Sequence, residues 1–340
     1  MKFLKVKQFV QKNNLPGYRI SQIKDLIYKK GISSWKDAVN LPLDLRKKLE
    51  SDVSILSFKP EKIRVSKDKK SAKALLTLKD GSKIETVLLN PLKNQWSVCV
   101  STQVGCPVKC FFCATGAMGF KRNLSAEEIS DQVLFWFQYI NKHKIARRLS
   151  SVVFMGMGEP FLNYREVVMA VNDLSNLDFL GIGHRNISIS TCGIIDGIRK
   201  LAKDLPQVNL AVSLHCADDA RRNKIVPINV THNLTKLAKE LAKYLQKTKR
   251  RVFIEYTLIS GVNDNFKDAR DLAKWINAIP SNYLLHVNLI SCNEFKKSKH
   301  EVSPAKVKAF ADIIKEKRIT VTIRRSLGSS ISAGCGQLGT

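Results

Sequence analysis

Cys106, Cys110 and Cys113 stand within eight residues of one another, separated by three residues and then by two. That spacing lets one loop wrap a metal centre. Thiolate is the soft ligand that iron-sulfur clusters and zinc both prefer. No fourth Cys or nearby His completes the set, and where a closed structural site takes four protein ligands, three leave one position open. Three readings follow: an iron-sulfur centre with an open coordination site, a zinc site borrowing a remote ligand, or three thiols packed in a core.

The loop needs a scaffold. From residue 97 onward, apolar runs near 97–101, 151–155, 186–190, 208–213, 252–258 and 284–290 alternate with helical patterns, and six β-then-α units imply a parallel sheet. One intervening helix is well marked. Ser125 and Glu128 form a capping-box pattern, and Ile129, Val133, Trp136, Phe137 and Ile140 line one face. In such arrays ligands gather at the C-terminal ends of the strands. The cysteine loop, Gly156-Met-Gly-Glu-Pro160, Ser190, Ser213-Leu214-His215 and Asn293 all fall there. A final strand, Ile319 to Arg324, leads into a Gly- and Ser-rich segment expected to be mobile enough to move Cys335.

Ahead of this array the periodicities differ. Phe3, Val6, Phe9 and Val10, then Ile20, Ile23 and Ile27 after the Leu15-Pro16-Gly17 break, recur at helical spacing. Residues 1–60 therefore read as a small helical accessory domain. Residues 61–95 read as a β-hairpin extension, with Lys79-Asp80-Gly81-Ser82 as its turn, and 96–340 as the core.

Lys and Arg total 57 against 29 acids, a net charge of +28, which favours a polyanionic partner such as nucleic acid. Arg147-Arg148, Arg221-Arg222, Lys247 to Arg251, Lys296-Lys297 and Arg324-Arg325 are candidate phosphate contacts. The eight cysteines, in a chain whose start lacks a long apolar run, read as reduced thiols in the cytoplasm. No stretch has the apolar length of a membrane span.

The CxxxCxxC spacing resembles the signature of the radical S-adenosylmethionine (SAM) enzymes. The words around it narrow the resemblance: Cys99-Val-Ser-Thr-Gln-Val-Gly-Cys106, Ala114-Thr-Gly, Arg122-Asn-Leu, Phe154-Met-Gly-Met-Gly-Glu-Pro160, Ser213-Leu-His215 and Cys335-Gly-Gln-Leu338 are together similar to the bacterial dual-specificity RNA adenine methyltransferases. The fold this resemblance implies is α/β, a partial (β/α)6 barrel. It implies a [4Fe-4S] cluster on Cys106, Cys110 and Cys113, whose fourth iron is chelated by SAM, and SAM contacts from Gly158, Glu159, Ser190, Ser213, Leu214, His215 and Asn293. On the residues alone, His215 could equally be a satisfied core histidine.

The resemblance also implies a route to C2 of adenine, which is too electron-poor to attack the methyl of SAM directly. Cys335 accepts a methyl group from one SAM. A radical made from a second SAM takes hydrogen from that S-methyl group, and the carbon radical adds to the base. Cys99 then releases the RNA by forming a disulfide with Cys335, and Glu85 is the proton acceptor. Taken as a residue alone, Glu85 could instead be a solvated strand carboxylate. The implied partners are 23S rRNA, tRNA next to the anticodon and an electron donor such as flavodoxin, with the chain a monomer. Gly158 to Tyr164 and Arg324-Arg-Ser are more similar to the branch that methylates C2 than to the antibiotic-resistance branch that methylates C8. The rivals are that C8 enzyme, a radical SAM enzyme acting on protein or metabolite, and a zinc-stabilised RNA-binding protein that would have no use for Cys99 and Cys335. Cys192, Cys216 and Cys292 match no role and read as structural.

Overall fold

The computed structural model describes residues 2–293 and 302–339. Helices α1 (Lys2–Lys12), α2 (Tyr18–Tyr28) and α3 (Leu43–Asp52) come first. An antiparallel run follows: β1 (Phe58–Val65), β2 (Ser71–Leu78), β3 (Lys83–Leu92) and β4 (Gln95–Cys99). Beyond β4 come β5 (Gln103–Gly105), α4 (Ala114–Ala117), β6 (Phe120–Asn123), α5 (Ala126–Lys142), β7 (Ser151–Phe154), α6 (Tyr164–Ser175), β8 (Ile187–Thr191), α7 (Ile195–Asp204) and β9 (Asn209–Ser213). The chain ends with α8 (Asp219–Ile225), α9 (Leu234–Thr248), β10 (Val252–Leu258), α10 (Phe266–Asn277), β11 (Leu285–Ser291), α11 (Pro304–Glu316) and β12 (Thr320–Arg324).

Ten strands make one sheet in the order β1-β2-β3-β4-β7-β8-β9-β10-β11-β12, parallel from β4 onward. The six expected strands are present, and β12 extends the series as a seventh. The order follows the chain because each crossover helix returns the chain beside the strand it left. Both faces of the parallel strands are covered, so β10 (Val-Phe-Ile-Glu-Tyr-Thr-Leu) is buried nearly throughout. The antiparallel run starts at Phe58, three residues before the expected boundary, and continues into the parallel sheet through β3 and β4.

Helix α5 has the cap its sequence promised. Ser125 Oγ accepts from the Glu128 N–H at 3.2 Å, and the Glu128 carboxylate accepts from the Ser125 N–H at 2.9 Å. Ile129, Val133, Trp136 and Ile140 are fully buried against the sheet. Phe137 packs against this core as expected and also, with Leu134, against α1–α3, whose apolar residues form a second core around Ile23, Ile27, Trp35 and Leu49. α5 thus has two apolar faces, one for each neighbour. The side chain of Phe3 lies outside the described residues.

Candidate functional site

The cysteine loop leaves the C-terminal end of β4 and is closed at its base by a two-stranded ribbon, β5 with β6. Gly105, at φ +75°, makes the closure possible, because a Cβ there would lie 1.8 Å from the Gly119 carbonyl oxygen. The Cys106 N–H donates to that same carbonyl at 2.9 Å. The loop's far side is fixed to α8, where the Phe111 N–H donates to the Ile225 carbonyl at 2.9 Å. Cys106, Cys110 and Cys113 are all partly exposed free thiols. Burial is the main cause pushing Cys106 up to about 12 and Cys110 upward, and each also feels the charge of Cys113. Burial thus disfavours the thiolates of Cys106 and Cys110, and a bound cation or cluster would favour them.

Gly156 and Gly158 bring the next segment against the loop's base. A Cβ on Gly156 would lie 2.6 Å from the Val100 carbonyl oxygen, and one on Gly158 (φ +101°) 2.6 Å from Gln103 Cβ. Glu159 follows, buried. Its N–H donates to Gln103 Oε1 at 2.8 Å, and its carboxylate accepts from the Phe161 N–H at 3.0 Å and the Cys192 N–H at 2.8 Å. Burial raises the carboxyl's pKa while these bonds oppose the rise. A buried carboxylate held by backbone amides, and lacking a cation of its own in the described ion pairs, suits an ammonium ligand.

Ser190 and Ser213 end adjacent strands with their hydroxyls 3.1 Å apart. Leu214 contributes backbone: its side chain is buried, its N–H donates to the Glu255 carbonyl at 3.0 Å and its carbonyl accepts from Arg222. His215 adopts φ +58° and is buried. Its Nδ1 accepts from the Thr257 N–H at 3.0 Å, placing the ring proton on Nε2. Burial, reinforced by the charge of Arg222, holds its pKa down at about 3, so the ring is neutral. Its edge meets Phe112 of the cysteine loop at 4.7 Å between ring centres.

The C-terminal segment lies across this mouth as a strap. Gly336 O accepts from the Ala114 N–H at 2.8 Å, Leu338 O from the Thr115 hydroxyl at 2.5 Å, and the Gly339 N–H donates to the Glu85 carboxylate at 2.9 Å. Asn293 braces the turn, donating to the Cys335 carbonyl at 3.0 Å and accepting from the Ser326 hydroxyl at 2.6 Å. Cys335 sits on the exposed part of the strap, and Cys99 is buried at the end of β4. Both are free thiols. Burial, then the neighbouring Cys335, pushes Cys99 up to about 12, which places the two side chains within electrostatic reach.

Glu85 is not a solvated strand residue. It is 1% exposed and forms a buried ion pair with Lys73 at 2.7 Å, so the structure excludes that bland reading. Arg221 and Arg222 are likewise not surface phosphate contacts: Arg221 is bound to Asp268, with Asp218 and Asp271 near, and Arg222 is fully buried. Arg147-Arg148 and Lys247 to Arg251 precede β7 and β10, at the opposite end of the sheet from the mouth. Lys296 and Lys297 lie outside the described residues. The sequence reading missed Lys73, Gln103, Glu255 and Asn288; Asn288 donates to Glu255 at 2.8 Å, and Arg324, expected as a phosphate contact, lies 3.4 Å from the same carboxylate. The available signal was Glu255 and Asn288 standing at matching register inside two otherwise apolar parallel strands.

Among the described residues no three His, Cys, Asp or Glu side chains converge on a point that would suit a single metal ion. The three loop cysteines form an all-thiolate donor set spread around a loop, beside buried groups suited to a polar ligand. Such a set fits a thiolate-held iron-sulfur cluster with an open position. No described helix is long and apolar enough to cross a membrane.

Comparison with known proteins gives the same direction. A family model described as the Radical SAM superfamily matches residues 100–276. A probable dual-specificity RNA methyltransferase RlmN from Caldicellulosiruptor saccharolyticus is 42% identical, over 99% of this chain and 94% of its own length. A ribosomal RNA large subunit methyltransferase Cfr from Clostridium botulinum (strain Okra) is 41% identical, over 99% of this chain and 96% of its own. The crystal structure of a radical SAM methyltransferase from Sphaerobacter thermophilus superposes with a TM-score of 0.92 at 36% identity, covering 99% of this chain and 97% of that one.

Proposed function

Since the chain belongs to the radical SAM RNA methyltransferase family, we propose that it methylates C2 of an adenosine in 23S rRNA, with a tRNA adenosine 3′ of the anticodon as a second substrate. The observation that carries this reading is the pair of free thiols Cys99 and Cys335 at one mouth with the cysteine loop, one fixed on a strand and one on a strap. A zinc-binding module needs no such pair. On this reading residues 1–60 and 61–95 are an accessory helical unit and a β extension to the 96–340 core. The protein works as a monomer in the cytoplasm and is reduced by a flavodoxin-type donor.

Cys106, Cys110 and Cys113 would hold a [4Fe-4S] cluster with its fourth position open. When bound, the cluster and SAM together supply the methyl group and the radical that makes it reactive. The protein's own groups do the rest. Gly158, Glu159, Ser190, Ser213, Leu214 and His215 shape the SAM site, with the buried Glu159 facing the ammonium and Gly158 admitting the ligand close to backbone. Asn293 holds the Cys335 turn while the strap is docked. Cys335 carries the methyl carbon and stays linked to the RNA through its sulfur. Glu85 takes the proton lost from the base, and its carboxylate gains a free oxygen once the Gly339 contact opens. Cys99 attacks the Cys335 sulfur and forms a disulfide. This breaks the bond from that sulfur to the methylene carbon, which leaves with the electron pair and takes up a proton to become the methyl group of the freed RNA.

The Cfr-named relatives keep C8 methylation as a second reading. Mass spectrometry of nucleosides from rRNA treated with the reconstituted enzyme separates the two. We expect 2-methyladenosine in the rRNA and in tRNA; 8-methyladenosine alone would overturn the C2 assignment.

A further inference from the structure

Arg222 is 0% exposed, and none of the ion pairs among the described residues includes it. Its acceptors are neutral: Nε donates to the Leu214 carbonyl at 2.9 Å, Nη1 to Asn229 Oδ1 at 2.5 Å, and Nη2 to the carbonyls of Cys192 at 2.8 Å and Ser213 at 3.2 Å. The carboxylate of Asp219 acts on the guanidinium only through space, its hydrogen bond being to Asn229. Burying a cation with no carboxylate in contact is costly, so the position is suited to a further anion close by.

The surroundings show where that anion belongs. The turn of α8 that carries Arg222 also carries Ile225, whose carbonyl accepts the Phe111 N–H of the cysteine loop. Cys192, held by Arg222 through its carbonyl, is held by the buried Glu159 through its N–H. The guanidinium thus clamps the ends of β8 and β9 directly behind the loop, and its charge is felt at Cys110 and Cys192.

We propose that Arg222 is a positioning residue that serves as the counter-ion of the cluster on Cys106, Cys110 and Cys113 and raises its reduction potential. This rests on the cluster reading given above. One-electron reduction, by flavodoxin or any one-electron donor, adds one negative charge to the centre. A fixed cation in a low-dielectric surround stabilises the reduced form more than the oxidised form. The four hydrogen bonds keep the charge in place.

The test is an anaerobic redox titration, followed by electron paramagnetic resonance, of the full-length reconstituted protein and its Arg222→Gln and Arg222→Lys variants. We expect Arg222→Gln to need a donor at least tenfold more reducing in equilibrium terms, about 59 mV for a one-electron couple. Arg222→Lys, which keeps the charge and loses the fork, should stay nearer the wild type. A cluster-loaded Arg222→Gln protein with the wild-type midpoint would overturn the inference. If Arg222→Gln fails to fold or load, Arg222→Lys decides: loading at the wild-type midpoint supports the counter-ion role, and failure like that of Gln reduces Arg222 to a structural clamp. A wild-type protein that takes up no cluster would instead refute the underlying reading.

Discussion

Lys73 and Glu85 show how much of the site depends on single buried charges. The pair spans neighbouring strands, and Glu85 also holds the strap through Gly339. Removing one partner leaves the other charged and buried, which typically costs about 3–5 kcal/mol. Lys73→Met should therefore lower unfolding free energy by roughly that amount in urea denaturation, and adding Glu85→Gln should recover part of it. An unchanged Lys73→Met protein would mean that the pair is not buried in solution. His215 gives a pH signature. Its pKa is ordinary in the unfolded chain and held at about 3 in the folded one. Below pH ~6.5 the unfolded chain thus binds the extra proton first. Stability is complete above that pH and falls towards pH 3 by up to about 1.4 kcal/mol per unit. His215→Phe should flatten that slope in urea unfolding measured across the range. The cysteine triplet stands out in the sequence by residue type and short spacing, whereas Cys99, Cys335 and the Gly158-Glu159 pair are singled out only by the resemblance of the words around them. Arg222 and Lys73 were not legible, since a charged residue looks the same in a list whether it faces solvent or a core.

At the scale of elements, the parallel strands and the α5 cap were readable because their signals are local: apolar runs for the buried strands, and Ser125 with Glu128 for the cap. The β5–β6 ribbon escaped notice. Three- and four-residue strands carry no usable periodicity, and what makes this ribbon is a close approach between Gly105 and Gly119. That approach fixes the base of the cysteine loop. Gly105→Ala should be tolerated by the sheet but should open the loop. The expected outcome is at least a tenfold drop in cluster iron retained per chain, measured by iron analysis after gel filtration, with little change in far-ultraviolet circular dichroism. Full iron content in this variant would contradict the role assigned to the ribbon. The double-sided face of α5 was also hidden, because Leu134 and Phe137 find their partners in α1–α3 only once the chain has folded.

The whole molecule brings a cysteine at the end of the first core strand close to a cysteine on the last segment, at the mouth shared with the cysteine loop and Glu85. Composition foresaw a polyanionic partner. It did not foresee that two basic clusters lie at the far end of the sheet and one is internal, because sequence position does not reveal which end of a strand a loop joins. The strap is tied down on both sides, and the proposed reaction requires it to release and carry Cys335 between substrate and Cys99. The most direct measurement is to reconstitute Cys99→Ala anaerobically, incubate it with RNA and SAM, and look for a covalent protein–RNA species by denaturing gel and mass spectrometry. We expect a crosslink mapping to Cys335 and one adenosine, absent when Cys335→Ala is added. A Cys99→Ala enzyme that cleaves SAM and forms no crosslink, beside a wild type active on the same RNA, would contradict it.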